Sequence, residues 1–191
     1  LFTSGVGPGF CFCGHSGGTL SIPRELFLEN GRLCQRPVRE LENYLKEKAV
    51  YTDVSIGKKQ ALTCIQGRMI DLFVTVKGKA YDKWTLYLAA GEKHYSTITY
   101  DRKAEVLTFD RTYSGVHWNI VHNRSMAVKA EEELSLRILM DRYTVEIFAE
   151  GGAKVFSALI YTENEAEGIF FESDGEAVMD VTAKEIVLEE K

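Results

Sequence analysis

Three carboxylates in the second half of the chain have the residue types and spacing that a glycosidase would use. Asp141, Glu146 and Glu150 fall in one short stretch. Glycoside hydrolysis needs two carboxyl groups about 5 Å apart for retention, or somewhat further for inversion, in an open cleft. One hypothesis is therefore that the chain itself hydrolyses a glycoside with these three residues.

The position of Glu146 favours a structural role over a catalytic one. Glu146 alternates with Val145 and Ile147, so its side chain is predicted on the opposite face of a strand. If that face is exposed, Glu146 is a surface residue. If it is buried, the carboxylate needs a cation, such as Arg137 or Arg111.

Other chemical groups are scattered without site spacing. The four histidines form no HxH or HExxH grouping. The four cysteines also lack zinc-ligand spacing. We therefore predict no catalytic, metal or cofactor site, and four free thiols, which favour a cytoplasmic location over a secreted one. The residues concerned are His15, His94, His117 and His122, and Cys11, Cys13, Cys34 and Cys64.

Several aromatic residues could form a platform on which a sugar ring stacks. They are Trp84, Trp118, Tyr87, Tyr95 and Tyr113. Aromatic residues in strands more often pack in the core or across strands, and that interpretation is favoured here. The substrate-binding residues stay unassigned.

Composition excludes several classes of protein. With 23 basic and 28 acidic residues among 191, the formal net charge is −5, which gives no electrostatic reason to bind nucleic acid or an anionic membrane. No apolar run reaches the roughly 20 residues that cross a bilayer. Apolar residues make up 45% of the chain, enough to fill a core.

The chain divides near residue 20. Residues 1–20 contain no charged side chain and are rich in glycine, which predicts a linker or junction segment, non-native in one interpretation. Its Gly5–Gly9 run lacks the preceding strand and following helix of a phosphate-binding loop. Residues 21–191 are predicted to form one domain.

Turn residues and the spacing of apolar residues predict the strands and the helix that position these residues. Asn30-Gly31 between apolar pairs predicts a β-hairpin, because both turn positions need positive φ. One short helix is predicted next, with Pro37 as its first residue and an apolar stripe of Val38, Leu41 and Leu45. Period-two alternation then dominates, as in 70–77. Roughly ten to thirteen short strands indicate an all-β, two-sheet antiparallel sandwich.

Several stretches resemble the C-terminal domain of glycoside hydrolase family 32, which holds invertases, sucrose-6-phosphate hydrolases, levanases and inulinases. The first is Ser21–Leu26, reading Ser-Ile-Pro-Arg-Glu-Leu, followed by Gln35–Leu41. Phe109–Gly115 is similar to the family's Asp-Arg-Ser-x-Ser-Gly turn. Leu136–Phe148, leading to a Gly-Gly pair, is similar to its C-terminal strand pair. At Gly14–Gly17, where the family has a Gly-Trp-x-Gly-like stretch, this chain has histidine in place of tryptophan.

This resemblance implies a jelly-roll-like sandwich that packs behind an N-terminal five-bladed β-propeller. The propeller carries the retaining chemistry in Asn-Asp-Pro, Arg-Asp-Pro and Glu-Cys motifs, and none of these occurs in the sequence. The chain by itself is therefore expected to be inactive, to stabilise the propeller, and to contribute a homodimer contact. The alternative is a free-standing carbohydrate-binding module.

Overall fold

A computed structural model describes residues 11–12, 15–16, 20–115 and 121–188. The predicted linker 1–20 therefore lies mostly outside the described residues. Two 3₁₀ helices are present, η1 (Arg39–Tyr44) and η2 (Glu150–Gly152). The strands are β1 (Cys11–Phe12), β2 (His15–Ser16), β3 (Arg24–Glu29), β4 (Arg32–Pro37), β5 (Leu45–Ile56), β6 (Ile70–Ala80), β7 (Lys83–Ala90), β8 (Ser96–Asp101), β9 (Val106–Asp110), β10 (Asn123–Ala127), β11 (Glu133–Met140), β12 (Thr144–Ala149), β13 (Lys154–Leu159), β14 (Gly168–Ser173) and β15 (Glu176–Ile186).

Two antiparallel sheets form the predicted sandwich. One has five strands in the order β10-β9-β8-β7-β14, and the other has six in the order β13-β12-β11-β6-β15-β5. Within the described part of the chain, strands β3 and β4 form a separate two-stranded sheet, as do β1 and β2. The all-β two-sheet prediction is confirmed.

The core lies between the two large sheets. Trp84, Tyr100, Phe109 and Phe171 of the five-stranded sheet are fully buried, and the rings of Trp84 and Phe171 lie 6.4 Å apart. The predicted alternation in 70–77 is also confirmed, since its apolar residues enter the core of the six-stranded sheet. Successive strand residues point to opposite faces, so the same alternation sends every second side chain to an outer face.

The Asn30-Gly31 hairpin is confirmed. Glu29 pairs with Arg32 at the ends of β3 and β4, and both turn residues have positive φ, 49° for Asn30 and 75° for Gly31. Such φ values match the right-handed twist of the strands, and asparagine and glycine tolerate them best. We call β3, β4 and their turn the entry hairpin.

The short helix near the N-terminal end is present, but its predicted start was wrong. Pro37 is the last residue of β4, and the helix is a 3₁₀ turn in which Leu41 N donates to Val38 O at 3.1 Å. Leu45, predicted as part of its apolar stripe, instead begins β5 and pairs with Ile186. Sheet pairing has overridden the weak helical pattern. No helix among the described residues is long and apolar enough to cross a membrane.

Candidate functional site

The three candidate carboxylates are not brought together as a catalytic pair. Asp141 precedes β12 and Glu150 follows it, so the six residues of that strand, about 3.3 Å each, place them roughly 20 Å apart. Asp141 accepts hydrogen bonds from the backbone N–H groups of Tyr143 and Thr144 at 2.8 and 2.7 Å and so fixes the β11–β12 turn. Its role in the structure is that of a turn residue.

Glu146 is fully buried on the outer face of the six-stranded sheet, and its partner is Arg24 of the entry hairpin. Arg24 Nη2 and Nε donate to Glu146 Oε2 at 2.5 and 2.9 Å, and Ile22 N donates to Oε1 at 2.6 Å. Arg24 also donates to the Ser157 hydroxyl and stacks 5.3 Å from the centroid of Phe148. The buried interpretation of Glu146 is thus correct.

The predicted partners of Glu146 were wrong. Arg137 forms hydrogen bonds to both carboxylate oxygens of Asp71, the shortest at 2.6 Å, and reaches Glu42 at 3.0 Å. Arg111 donates to two backbone carbonyl oxygens instead. Arg24 was missed because 122 positions separate it from Glu146, and only the Pro-Arg-Glu-Leu motif marked it.

Glu150 makes a second contact between the entry hairpin and the sandwich. Arg32 Nη2 donates to its carboxylate at 2.6 Å, and Lys129 N donates at 3.0 Å. Burial raises the pKa of Glu150, but these two hydrogen bonds and the positive charges of Arg32 and Lys154 together outweigh it, so the pKa lies below its ordinary value. Glu150 therefore acts as an ionised anchor for the hairpin.

Close backbone contact also fixes the hairpin on the sheet. A Cβ atom at Gly152, where φ is +90°, would lie 2.0 Å from the carbonyl oxygen of Gln35 in β4. A cleft of about 260 Å³ lies beside this contact, between the hairpin and an outer sheet face that carries Phe73 and Phe148. The candidate site is therefore a docking surface for the hairpin.

One face of the entry hairpin is apolar and exposed. Leu28 and Leu33 are paired across the strands, and Leu26 lies on the same face. Their exposed fractions are 77%, 58% and 59%. Adjacent exposed leucines on one face are typical of a surface that contacts a partner.

Glu25 makes the hairpin sensitive to pH. Hydrogen bonds from Arg39 Nε at 2.8 Å and Arg36 Nη2 at 2.9 Å lower its pKa from 4.5 to about 2. Because the folded pKa is the lower one, this contribution to stability is full above about 4.5 and disappears as the pH falls through about 2. We expect Glu25→Gln to lower the melting temperature at pH 6, and we expect this difference to shrink as the pH falls toward 2. A difference that stays constant over this range in paired thermal melts would contradict this prediction.

The predicted aromatic platform is divided between core and surface. Trp84 is in the core, in agreement with the favoured interpretation of core packing, while Trp118 lies outside the described residues. Tyr87, Tyr95 and Tyr113 do come together on the outer face of the five-stranded sheet, with ring centroids 5.4 and 5.3 Å apart. The sequence did not indicate Lys59, whose ammonium lies 3.8 Å from the Tyr87 centroid.

The remaining candidates are dispersed. His94 Nδ1 lies 2.6 Å from Glu163, and Cys34 and Cys64 are free thiols, the first buried and the second exposed. His117 and Cys13 lie outside the described residues, as do the side chains of His15 and Cys11. Within the described part of the chain, no three His, Cys, Asp or Glu side chains form a group that could hold a metal ion.

Comparison with known proteins gives one consistent result. The family model described as "Glycosyl hydrolases family 32 C terminal" matches residues 40–187. A sucrose-6-phosphate hydrolase of Escherichia coli is 32% identical over 164 residues, and a raffinose invertase of the same species is 30% identical over 165; each match covers 85% of this chain and 33% of the relative. The solved structure of an exo-inulinase from Aspergillus awamori has the same fold, with a TM-score of 0.78 at 18% identity over 89% of this chain and 36% of that one. The chain thus spans about a third of the length of the curated relatives that it matches.

Proposed function

The chain belongs to the glycoside hydrolase family 32 C-terminal domains, and we propose that it is the non-catalytic β-sandwich of an enzyme that hydrolyses sucrose or β-fructosides. In this proposal it packs against the N-terminal β-propeller of the same protein, stabilises it, and contributes a homodimer contact. The similar proteins are about three times as long as the matched region, which supports a larger protein with a further domain.

The observation that carries this proposal is the two-sided entry hairpin. Its inner side is fixed on the sandwich by the buried Cys34 and by the Arg32–Glu150 pair, both on the face opposite the leucines. Its outer leucines contact no core, and the hairpin precedes residue 40, where the family match begins. A segment of this kind is suited to joining two domains, since one side is fixed and the other is free to bury apolar area against the propeller.

The chemistry of the chain supports a non-catalytic role. Retaining hydrolysis needs two carboxyl groups about 5 Å apart. Asp141 holds a turn, Glu146 is fully buried beneath Arg24, and Glu150 anchors Arg32. Together with the absence of the three propeller motifs from the 191 residues, this supports a domain that supplies binding surface and stability.

A binding measurement tests the docking surface. We expect the chain and a separately produced N-terminal domain to form a complex at micromolar concentration in sedimentation velocity. Leu28→Lys should weaken it at least about tenfold, because a buried leucine contributes about 1.5–3 kcal/mol.

The matched control is Leu188→Lys, which changes another exposed leucine (62%, against 77% for Leu28) outside the hairpin. It should leave the affinity unchanged. Without complex formation, or with equal loss of affinity in both variants, the proposed docking surface is wrong.

A further inference from the structure

The outer face of the five-stranded sheet is rich in uncharged hydroxyl groups. One row of paired residues crosses all five strands: Ser125, Thr108, Thr99, Thr85 and Glu172. Thr108 and Ser125 are hydrogen-bonded at 2.8 Å, and Thr85 and Thr99 at 3.2 Å. The adjacent row contains Asn123, Asp110, Thr97, Tyr87 and Phe170. Such a face offers both donors and acceptors, and its two carboxylates, Glu172 and Asp110, each accept a hydrogen bond from a neighbouring hydroxyl group.

Tyr113 extends this face with an open aromatic surface. Its ring stacks on Tyr95 at a centroid distance of 5.3 Å and an interplanar angle of 23°, and 60% of the residue is exposed. One ring face is therefore occupied by Tyr95 while the residue stays largely open to solvent. An aromatic ring face carries partial negative charge, which attracts positively polarised hydrogens.

The conformation of Tyr113 is fixed by the turn that carries it. Asp110 accepts hydrogen bonds from Thr112 N at 2.8 Å and Thr112 Oγ1 at 2.6 Å. Tyr95 N donates to Tyr113 O, and Ser114 N donates to Arg111 O, each at 3.0 Å. These bonds fix the backbone that carries Tyr113, and stacking on Tyr95 restrains its ring, so less conformational freedom is lost when a ligand binds.

Lys59 supplies hydrogen-bond donors beside the rings. Its ammonium lies 3.8, 5.4 and 4.9 Å from the ring centroids of Tyr87, Tyr95 and Phe170. Among the described residues it has no hydrogen bond or ion pair. An ammonium has three N–H donors, so those of Lys59 are available to hydroxyl groups of a ligand. The Tyr87 hydroxyl donates a hydrogen bond to the Glu172 carboxylate at 2.6 Å.

We propose that the stacked pair Tyr113–Tyr95, together with Lys59 and the hydroxyl rows, binds a neutral oligosaccharide. One face of a sugar ring presents C–H groups, which fit the open ring of Tyr113, and its hydroxyls match the polar rows. The chain's net charge of −5 and the single cation among the rings disfavour a polyanionic ligand. The choice of a β-fructan as the first ligand rests on the proposed function, whereas the site itself rests on this geometry.

The test is affinity electrophoresis of the 191-residue chain in gels that contain levan, inulin or a soluble β-glucan. We expect a fructan to retard the chain. Tyr113→Ala removes the open ring face and should weaken this binding at least about tenfold, which is a loss of about 1.4 kcal/mol in binding free energy. Tyr143→Ala, at a tyrosine that is 53% exposed in the β11–β12 turn, is the matched control and should bind normally. Lys59 is exposed, and Lys59→Met should also weaken binding. This second variant tests the site if Tyr113→Ala does not fold.

Each outcome is decisive. If only the β-glucan retards the chain and Tyr113→Ala abolishes this effect, the site is confirmed and a fructan is excluded as its ligand. No retardation by any of the three, or equal retardation of Tyr113→Ala and the parent chain, overturns the site. Complex formation with the N-terminal domain should be the same in Tyr113→Ala, so failure here is separable from failure of the docking proposal.

Discussion

Arg24→Ala is expected to lower the free energy of unfolding by about 3–5 kcal/mol, because it leaves Glu146 as an uncompensated buried charge. Ile22 N would still donate a hydrogen bond to this carboxylate, which is 1% exposed, but no cation among the described residues would pair with it. Urea unfolding followed by tryptophan fluorescence measures the loss.

The control for Arg24→Ala lies on the same hairpin. Arg36 pairs with Glu25 at 2.9 Å but is 48% exposed, so Arg36→Ala should cost less than about 1 kcal/mol. Arg24→Met combined with Glu146→Leu should recover much of the loss, since an apolar pair replaces the charges. Recovery should be incomplete, because Ile22 N then lacks its acceptor. Equal effects of Arg24→Ala and Arg36→Ala would contradict the buried clamp.

Gly152→Ala is expected to have the second large effect, at least about 3 kcal/mol. The new Cβ would meet the Gln35 carbonyl oxygen at 2.0 Å, so the backbone of β4 has to move away from the sheet. Positive φ adds strain for any residue with a Cβ atom.

Gly151→Ala separates the two causes. Gly151 also has positive φ, but its added Cβ would meet only the flexible end of Glu29, at 3.3 Å. We expect a cost of about 1–2 kcal/mol from backbone strain alone. Thermal or urea unfolding of both variants measures the difference, and equal losses would show that the hairpin does not contact the sheet as described.

Local patterns predicted the fold well. Alternation placed Glu146 on the face opposite Val145 and Ile147, and the Asn30-Gly31 turn fixed the register of the entry hairpin. These features depend on residues that are near one another in sequence, where strand period and turn conformation decide the result.

Local sequence patterns could not predict the long-range contacts. Arg24, Arg137 and Arg111 are all arginines that can pair with a buried carboxylate, and only the placement of the entry hairpin on β12 selects the first. Likewise, alternation within β7 places Trp84 and Tyr87 on opposite faces, but it does not show that Tyr95 and Tyr113, which lie outside the strands, pack beside Tyr87. Tertiary packing supplies that information.

The central claim is that this domain serves a hydrolase by docking and not by chemistry. Its most direct test is fructose release from sucrose and inulin by the chain, by the N-terminal domain, and by their mixture, after heating to a series of temperatures. We predict no release by the chain alone. At about 100 times the dissociation constant, the mixture should stay active to a temperature roughly 5–10 °C above that of the N-terminal domain alone. Fructose release by the chain alone that disappears in Glu146→Gln, or identical heat inactivation with and without the chain, would contradict the claim.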